Sequence, residues 1–275
     1  MPVSPAIEAQ LVLAAVLLLA LASAWEAPVL ITGRARHGPT LGLLGGAILI
    51  LGVAITGRWW REGQGPFLTF YDVLLSNVFS LAAVFLLISW RSPAVRIASL
   101  LVCPFLLVMG IWLLNMPATA VPLPATFDNY WLWLHVLSGK VFLGMSLVSA
   151  CSSCILLCGG SPMCDNVIDA ISDALSLDRM IWALFFLAFV FHSLMLVAGS
   201  VWAHSAWGRY WSWDTLETWT LITWIAMGGV LHARATFKNM LPWMGYAMIV
   251  VVFAIAFVTF FGVPFLSMGP HKGVM

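Results

Sequence analysis

Long apolar stretches separated by short polar segments follow one another through the whole chain of 275 residues. Each stretch comes close to the roughly 20 residues that an α-helix needs to cross the hydrocarbon core of a bilayer. The pattern therefore predicts an all-α, polytopic integral membrane protein with about eight transmembrane helices, forming a single membrane domain over residues 1–275. The predicted spans are 6–24, 40–57, 70–90, 97–115, 131–156, 180–202, 215–233 and 243–266.

Composition and charge support this class and give the chain an orientation. Hydrophobic residues make up 62% of the chain and charged residues only 8%, and the mean hydropathy is +1.01, which excludes an ordinary soluble domain. The net charge of +1 offers no argument for a nucleic-acid partner. Lys and Arg are more frequent in one set of loops, which the positive-inside rule places in the cytoplasm. That set is Arg34, Arg36, Arg91, Arg96, Arg179, Arg234 and Lys238, against Arg58, Arg61, Arg209 and Lys272 outside.

This orientation predicts that both termini are on the outer side. The membrane is expected to be a bacterial cytoplasmic membrane, so the outer side is the periplasmic one. Residues 159–179 become a cytoplasmic connector, and residues 202–219 become an external Trp-rich loop. His37, which lies among basic residues between the first two spans, is expected to be an ordinary loop residue.

Tryptophan is concentrated at one place, because six of the 15 tryptophans fall between Trp202 and Trp224. A belt of interfacial aromatic residues accounts for one or two at a helix end, but not for this density. Tryptophan offers a large flat π surface with one N–H donor, so the cluster predicts a platform for a flat, mostly apolar ligand, and heme fits that description best. The candidate platform residues are Trp202, Trp207, Gly208, Arg209, Tyr210, Trp211, Trp213, Asp214 and Glu217.

Three of these residues have individual expectations. Arg209 is a candidate partner for a carboxylate such as a heme propionate. Asp214 and Glu217 precede an apolar run at the spacing of a helix N-cap and its capping-box partner. This structural interpretation is at least as well supported as a catalytic one, so no catalytic residue is predicted with certainty.

The same segment carries a family resemblance. WGRYWSWD over residues 207–214, followed by ETW at 217–219, LITW at 221–224 and LH at 231–232, resembles the WWD signature of the heme-handling cytochrome c assembly proteins, and within them the CcsA/ResC type of the system II pathway. The resemblance covers about the second half of the chain, whereas residues 1–120 match in hydropathy only. The chain departs from the usual pattern at Thr215-Leu216, at His204 and in its tail at 269–272.

The resemblance implies a function and a set of partners. Heme b would be exported to the outer face of the membrane and attached to the CxxCH cysteines of apocytochrome c, the chain acting as a subunit of a holocytochrome c synthase. A ResB/CcsB-like membrane subunit and a thioredoxin-like thiol reductant would be its partners. The alternative within the same class is a heme exporter or chaperone without ligation activity, like the CcmC type.

The resemblance also implies iron ligands. His135 and His271 match the two external histidines that flank the signature, and His232 matches a ligand within the membrane. His232 lies 18 residues beyond Asp214, or roughly 27 Å along a helix, so it cannot serve the same iron as the outer pair. The source of the second intramembrane ligand stays open between His192 and the partner subunit. Weaker site candidates are His192, His204 and Lys140.

The cysteines suggest a function of another class. Cys151 and Cys154 form a CxxC pair, which would suit a membrane thiol-redox carrier. Small polarisable residues packing in a helix would produce the same pattern. The roles of Cys151, Cys154, Cys158 and Cys164 are left open at this stage, as is that of Cys103.

Overall fold

The computed structural model describes residues 3–32, 37–159, 167, 173–237 and 239–266. Within those ranges every regular secondary-structure element is a helix, which confirms the predicted all-α class. The chain divides into two compact units. Unit 1 comprises Met1–Val121 and Cys158–Arg179, and unit 2 comprises Pro122–Leu157 and Met180–Met275. The sequence pattern, which predicted one membrane domain, carries no visible signal of this division.

Eight long helices fall on the eight predicted spans. They are α1 (Pro5–Glu26), α2 (His37–Glu62), α3 (Phe70–Arg91), α4 (Ser99–Leu114), α5 (Tyr130–Leu157), α6 (Ala174–Trp207), α7 (Thr215–Thr236) and α8 (Pro242–Phe261). Short helical segments also occur at Val29–Thr32, Pro93–Ala98, Ala125–Phe127 and Val263–Leu266.

Seven of these helices are long and apolar enough to cross a membrane, and α7 is the one left out. Its 22 residues begin with TLETWT, so threonine and one glutamate lower the hydropathy of its first two turns. The chain is thus a multi-pass membrane protein. One of its eight predicted spans, α7, is a helix of 22 residues with a more polar composition than the other seven.

Several helices are longer than the apolar stretches that predicted them. Helix α6 has 34 residues, so it begins inside the predicted connector 159–179 and ends inside the predicted loop 202–219. Helix α2 continues to Glu62, so Arg58 and Arg61 are helical and not in an outer loop. Hydropathy marks the part of a helix that suits hydrocarbon, whereas the helix itself continues as long as its backbone hydrogen bonds do.

Unit 1 contains a buried ion network where α1, α2 and α3 meet. Arg58, only 4% exposed, donates from Nε to Asp72 (2.6 Å), from Nη1 to Glu8 (3.5 Å) and from Nη2 to the Thr119 carbonyl (2.8 Å). Asp72 also closes a reciprocal capping box with Thr69 at the start of α3. Every donor nitrogen of Arg58 therefore has an acceptor, which is the condition under which a buried charge is tolerated.

A second polar cluster ties the other end of α1 to α2. Glu26 is 1% exposed, and its Oε1 atom lies 3.2 Å from His37 Nδ1 and accepts a hydrogen bond from Thr40 (2.5 Å). Ser99 on α4 lies 3.3 Å from the same His37 nitrogen. His37 is therefore the first residue of α2 and part of a buried junction, so its expected loop position is wrong.

Unit 2 is built from α5, the part of α6 from Met180, α7 and α8. Ser149 on α5 donates to the Ile181 carbonyl (3.0 Å), and Trp224 on α7 donates to Ser193 on α6 (2.8 Å). These contacts fix the register of the helices along one another, so they also fix the depth at which each functional candidate lies.

Candidate functional site

The Trp-rich segment consists of a helix end, an irregular turn and a helix start. Helix α6 ends at Trp207, and Gly208, at a φ of +74°, donates its N–H to the His204 carbonyl (2.9 Å). Glycine adopts this left-handed conformation without steric cost, so Gly208 stops the helix. Residues 208–214 then lead to α7, and only these are irregular within the predicted loop 202–219.

Two acidic residues hold the irregular turn in place. Asp214 is the N-cap of α7 and accepts the Glu217 N–H (2.8 Å), which confirms the predicted cap. Glu217 does not complete a capping box but accepts the Ser212 N–H at 2.6 Å. Trp213, between them, has a φ of 59°, a left-handed conformation that is strained for a bulky residue. The carboxylates therefore act on the shape of the turn.

The tryptophans divide into an inner and an outer group. In the inner group, Trp202 is 5% exposed, donates from Nε1 to the Thr126 carbonyl (2.9 Å) and packs edge-on against Trp207 (4.9 Å) and Phe127 (5.3 Å). Trp202 is thus a packed support and not an open part of the predicted platform.

The outer group presents aromatic surface. Tyr210 stacks on His204 with ring centroids 4.2 Å apart. Trp211 packs edge-on against Trp213 at 6.0 Å, and Trp213 is 69% exposed. Tyr210 and Trp213 are thus exposed, whereas Trp202, also predicted for the platform, is buried.

His135 is held in a defined tautomer beside the inner group. Its Nδ1 atom lies 2.9 Å from the Met195 carbonyl of α6, which can only accept, so Nδ1 carries the proton. Nε2 then has the lone pair that iron ligation requires. The ring stacks at 6.3 Å on Trp202, and it fits only because residue 199 is glycine, where a Cβ atom would lie 2.6 Å from Nδ1.

The turn also contains buried donors whose hydrogen bonds are not made among the described residues. Trp211 Nε1 and Ser212 Oγ are both buried and have no partner there. An unsatisfied buried donor is costly, so it indicates an acceptor that lies outside the described residues. Arg209, which is exposed in the same turn, adds a guanidinium group. A flat ligand with carboxylates, such as heme, fits this donor set.

His232 lies at the opposite end of α7, which is one continuous helix over Thr215–Thr236. It is exposed, and its Nε2 atom lies 3.4 Å from Thr236 Oγ1. Arg234 lies over the Trp182 ring at 4.8 Å. The rise of a helix places His232 about 27 Å from Asp214. The structure therefore keeps His232 away from the Trp-rich turn.

His192 is not brought to His232. It is fully buried, stacks on Phe142 at 4.2 Å, and its two ring nitrogens have no partner among the described residues. The next residue, Ser193, is bonded to Trp224, which precedes His232 by eight residues or about 12 Å of helix. His192 and His232 therefore do not form one iron site in this structure.

The remaining candidates are spread over the chain. Lys140 lies on α5 five residues after His135 and is partly buried. His271 lies outside the described residues. Cys151 is buried and Cys154 half-buried on successive turns of α5, Cys158 is exposed and Cys103 lies buried in unit 1, and none of these four is in a disulfide. Cys164 is also outside the described residues, and within the described part no cluster of three His, Cys, Asp or Glu side chains could hold a metal ion.

Comparison with known proteins now identifies the family. The family model described as Cytochrome C assembly protein matches residues 66–271. The chain belongs to the cytochrome c assembly protein family. The match includes His135, the Trp-rich turn and His232, so the site described above lies wholly within the region that defines this family. A role in cytochrome c maturation, and with it heme handling, follows from the membership.

Individual relatives specify the type within the cytochrome c assembly family. The chain is 30% identical over 286 residues to the cytochrome c biogenesis protein CcsA of Parasynechococcus marenigrum, with 93% of this chain and 92% of that protein covered. It is 27% identical over 264 residues to CcsA of Trieres chinensis, with 82% and 83% covered. The chain is therefore of the CcsA type, as the signature indicated.

A solved structure shares the fold. The cytochrome c heme lyase CcmF superposes with a TM-score of 0.73 at 16% identity, over 94% of this chain. This chain spans only 47% of the length of that lyase. At such identity the likeness concerns the arrangement of helices alone.

Two residues that position the His135 ring were not predicted from the sequence. Met195 and Gly199 stand in an apolar helix, where nothing in their type distinguishes them from lipid-facing neighbours. Their spacing of four residues places them on one helix face, but only the packing of α5 against α6 shows that this face meets His135.

Proposed function

We propose that this chain brings heme to the outer face of the bacterial cytoplasmic membrane and presents it there for attachment to apocytochrome c. The observation that carries the proposal is the His135 imidazole, which the Met195 carbonyl fixes with Nε2 as the ligating atom and which stacks on Trp202, the residue that packs against Trp207 at the end of α6. The CcsA-type relatives, which are named for cytochrome c biogenesis, support the same cargo and the same destination.

In this mechanism heme is the cargo and the protein contributes binding and orientation. His135 binds the iron on one side of the porphyrin, and His271 is proposed as the ligand on the other. Trp211, Trp213 and Tyr210 cover the apolar ring, while Arg209 and the donors of Trp211 and Ser212 pair with the propionates. His232 receives heme at the inner end of α7, with a second ligand from a ResB/CcsB-like partner subunit.

The attachment step needs no oxidant. Each thiol of a CxxCH motif adds across one heme vinyl group, so that sulfur bonds to one carbon and hydrogen to the other. Both thiols must be reduced beforehand, which is the role of a thioredoxin-like protein. Holding the vinyl groups towards the outer aqueous phase converts an encounter of two molecules into a reaction of oriented groups, which can lower the barrier by about 7–11 kcal/mol.

The test is the absorption spectrum of the full chain purified from membranes, alone and together with its membrane partner. We expect a bis-imidazole heme spectrum, reduced heme content in His135→Ala, and recovery when free imidazole is supplied to fill the place of the lost ring. His37→Asn in unit 1 is the control, because it removes an imidazole while keeping a donor to Glu26. Heme-free wild-type protein in both preparations, or full heme content in His135→Ala without a spectral change, would refute the proposal.

Analysis of the reaction product distinguishes covalent attachment of heme to the peptide from heme export alone. A preparation that holds heme but forms no thioether with a CxxCH peptide and reductant assigns the chain to the exporter or chaperone class. A covalent product that appears only when the membrane partner is present assigns it to the synthase.

A second candidate function, thiol-redox transfer, rests on the CxxC pair of Cys151 and Cys154, neither of which is in a disulfide. Cys151 lies 16 residues after His135, or about 24 Å further along α5 and near its opposite end. Such a carrier would pass electrons towards the apocytochrome thiols. Changing both cysteines to serine tests it: a holocytochrome c yield near that of the wild type would exclude thiol transfer, and a yield restored by added reductant would support it.

A further inference from the structure

Unit 1 contains an apolar groove between α2 and α3. Its volume is about 430 Å³, which lies within the range of about 300–1,000 Å³ found for small-ligand pockets. The lining residues are Leu41, Ile48, Ala83, Leu86, Leu87 and Trp90. Since all six side chains are apolar except for one indole N–H, the groove suits a hydrocarbon chain and has no ligand for a metal.

The length of the groove distinguishes between possible occupants. Leu41 to Ile48 on α2, and Ala83 to Trp90 on α3, each cover seven residues or about 10 Å. A partner's transmembrane helix would contact its neighbour over much of the roughly 30 Å of the hydrocarbon core. The groove is therefore shorter than a full-length helix interface, and its length suits part of one acyl chain.

A glycine on α2 lies beside the groove, between the lining residues Leu41 and Ile48 in sequence. A Cβ atom built on Gly45 would lie 3.9 Å from Leu86 Cδ2, at ordinary van der Waals distance across the groove. A larger side chain at this position would extend into the space that the groove now provides. The same helix has glycines at 38 and 42 with nothing within 4 Å of a Cβ, so its outer face is uncrowded near the groove.

The groove opens at a positively charged end of unit 1. Helix α3 ends at Arg91, whose exposed guanidinium lies over the Trp90 ring at 5.9 Å. A tryptophan at the mouth and an arginine beyond it match the interface between acyl chains and headgroups.

We propose that this groove binds one acyl chain of an anionic phospholipid, with the lipid phosphate against Arg91. Basic residues beside a gap between transmembrane helices on the cytoplasmic side are a known arrangement for anionic headgroups, and the basic loops of this chain predict that side for Arg91. The proposal is independent of heme, because the residues that carry it lie in unit 1 and none belongs to the site around His135.

Native mass spectrometry of the full chain in mild detergent tests the site. The probes are phosphatidylglycerol and phosphatidylcholine with identical acyl chains, added in equal amounts. We expect the wild type to retain phosphatidylglycerol preferentially, Gly45→Leu to lose about tenfold in retention of both lipids, and Arg91→Gln to lose the preference while still binding.

Two matched controls come from unit 2. Gly229→Leu makes the same change at an open glycine on α7, where nothing lies within 4 Å of a Cβ. Arg234→Gln removes the other arginine that lies over a tryptophan, Trp182. Both should retain lipid like the wild type. Ala83→Phe fills the groove from the α3 side and replaces Gly45→Leu if that variant does not fold.

Three results would overturn the proposal. They are equal retention of the two lipids by the wild type, unchanged retention in a folded groove-filling variant, and cross-linking of a protein helix to residue 87 or 90 in place of a lipid. Heme content plays no part in these outcomes, so a failure here leaves the proposed function unaffected.

Discussion

The two units differ in how their buried polar groups are paired. In unit 1 the buried charges pair with one another, and all the ion pairs found among the described residues lie there, around Arg58, Arg61 and Glu26. In unit 2 the site also has charged groups, at Arg209, Asp214 and Glu217, but its unsatisfied groups are the uncharged indole of Trp211 and the hydroxyl of Ser212. The network around Arg58 is closed, because every donor nitrogen of Arg58 has an acceptor, whereas Trp211 and Ser212 in unit 2 have hydrogen-bonding capacity that no described residue uses.

This difference teaches how stability and function are divided. A closed ion network cannot accept a ligand without losing a partner, so it serves the fold. An unsatisfied uncharged donor costs less free energy than an unpaired charge. Such donors can therefore remain unpaired before a ligand binds and after it leaves. We therefore expect substitutions in the unit 1 network to affect folding first, and those in the unit 2 site to affect heme first.

The largest effect is expected from Arg58→Ala. It leaves Asp72 buried without its arginine and Glu8 with Arg61 alone, and breaking a buried pair in this way typically costs about 3–5 kcal/mol of the free energy of unfolding. The thermal transition of the purified protein measures it. Glu62→Ala, which removes a less buried partner of Arg61, is the control and should cost about 1 kcal/mol or less. A similar small loss in both variants would remove the distinction between the units.

Gly199→Ala should produce the next largest effect, on heme rather than on folding. The added methyl group would lie 2.6 Å from His135 Nδ1, so the ring must move and its bond to the Met195 carbonyl is lost. Loss of such an orienting contact typically weakens metal binding about 10–100-fold. Heme titration followed by absorbance measures the loss.

The control for this variant is Gly228→Ala on α7, where the new Cβ would lie at an ordinary 3.6 Å from Phe189. It should bind heme like the wild type. Wild-type affinity in Gly199→Ala, with a folded protein, would show that the packing around His135 has no bearing on heme.

A smaller effect is expected from Asp214→Ala, which removes the N-cap of α7. The lost bond to the Glu217 N–H should cost about 1 kcal/mol, while Asp214→Asn keeps an acceptor and should cost less. Because the cap fixes the Trp-rich turn, heme retention should fall in the alanine variant in parallel with the thermal transition. Equal heme loss in the asparagine variant would instead indicate a direct role of the carboxylate.

The smallest effect is expected from His192→Phe. The buried imidazole has no hydrogen-bond partner in the described part of the chain, so an apolar ring of similar shape should be neutral or stabilising, and the stacking on Phe142 is retained. Heme content and spectrum should equal those of the wild type. A marked loss of heme in this variant would mean that His192 ligates iron in a state that differs from the present structure.

The fold class could be predicted from the sequence because uncharged hydrophobic runs of span length rarely occur outside transmembrane helices. Helix ends could not be predicted in the same way, as α2 and α6 show. Arg58 and Arg61 look like loop residues beside a span, yet a partner 50 or more positions away in sequence, Glu8, allows them to continue the helix inside the protein.

The site was only partly accessible from sequence. The tryptophan density and the cap at Asp214 involve residues that are close together in sequence, so they can be recognised without knowing the fold. Three other features depend on how distant parts of the chain pack together, which residue types alone do not determine. They are the burial of Trp202, the hydrogen bond that Ser212 N–H donates to Glu217, and the contact of His135 with Met195.

The closeness of Gly199 and His135 has an evolutionary consequence. A mutation at position 199 to any other residue is harmful while position 135 remains histidine, and a smaller residue at 135 removes the constraint on 199. The two positions are therefore expected to change together or not at all among relatives, although 64 positions separate them in the chain. Lineages that lost the imidazole should be the ones in which that glycine has drifted.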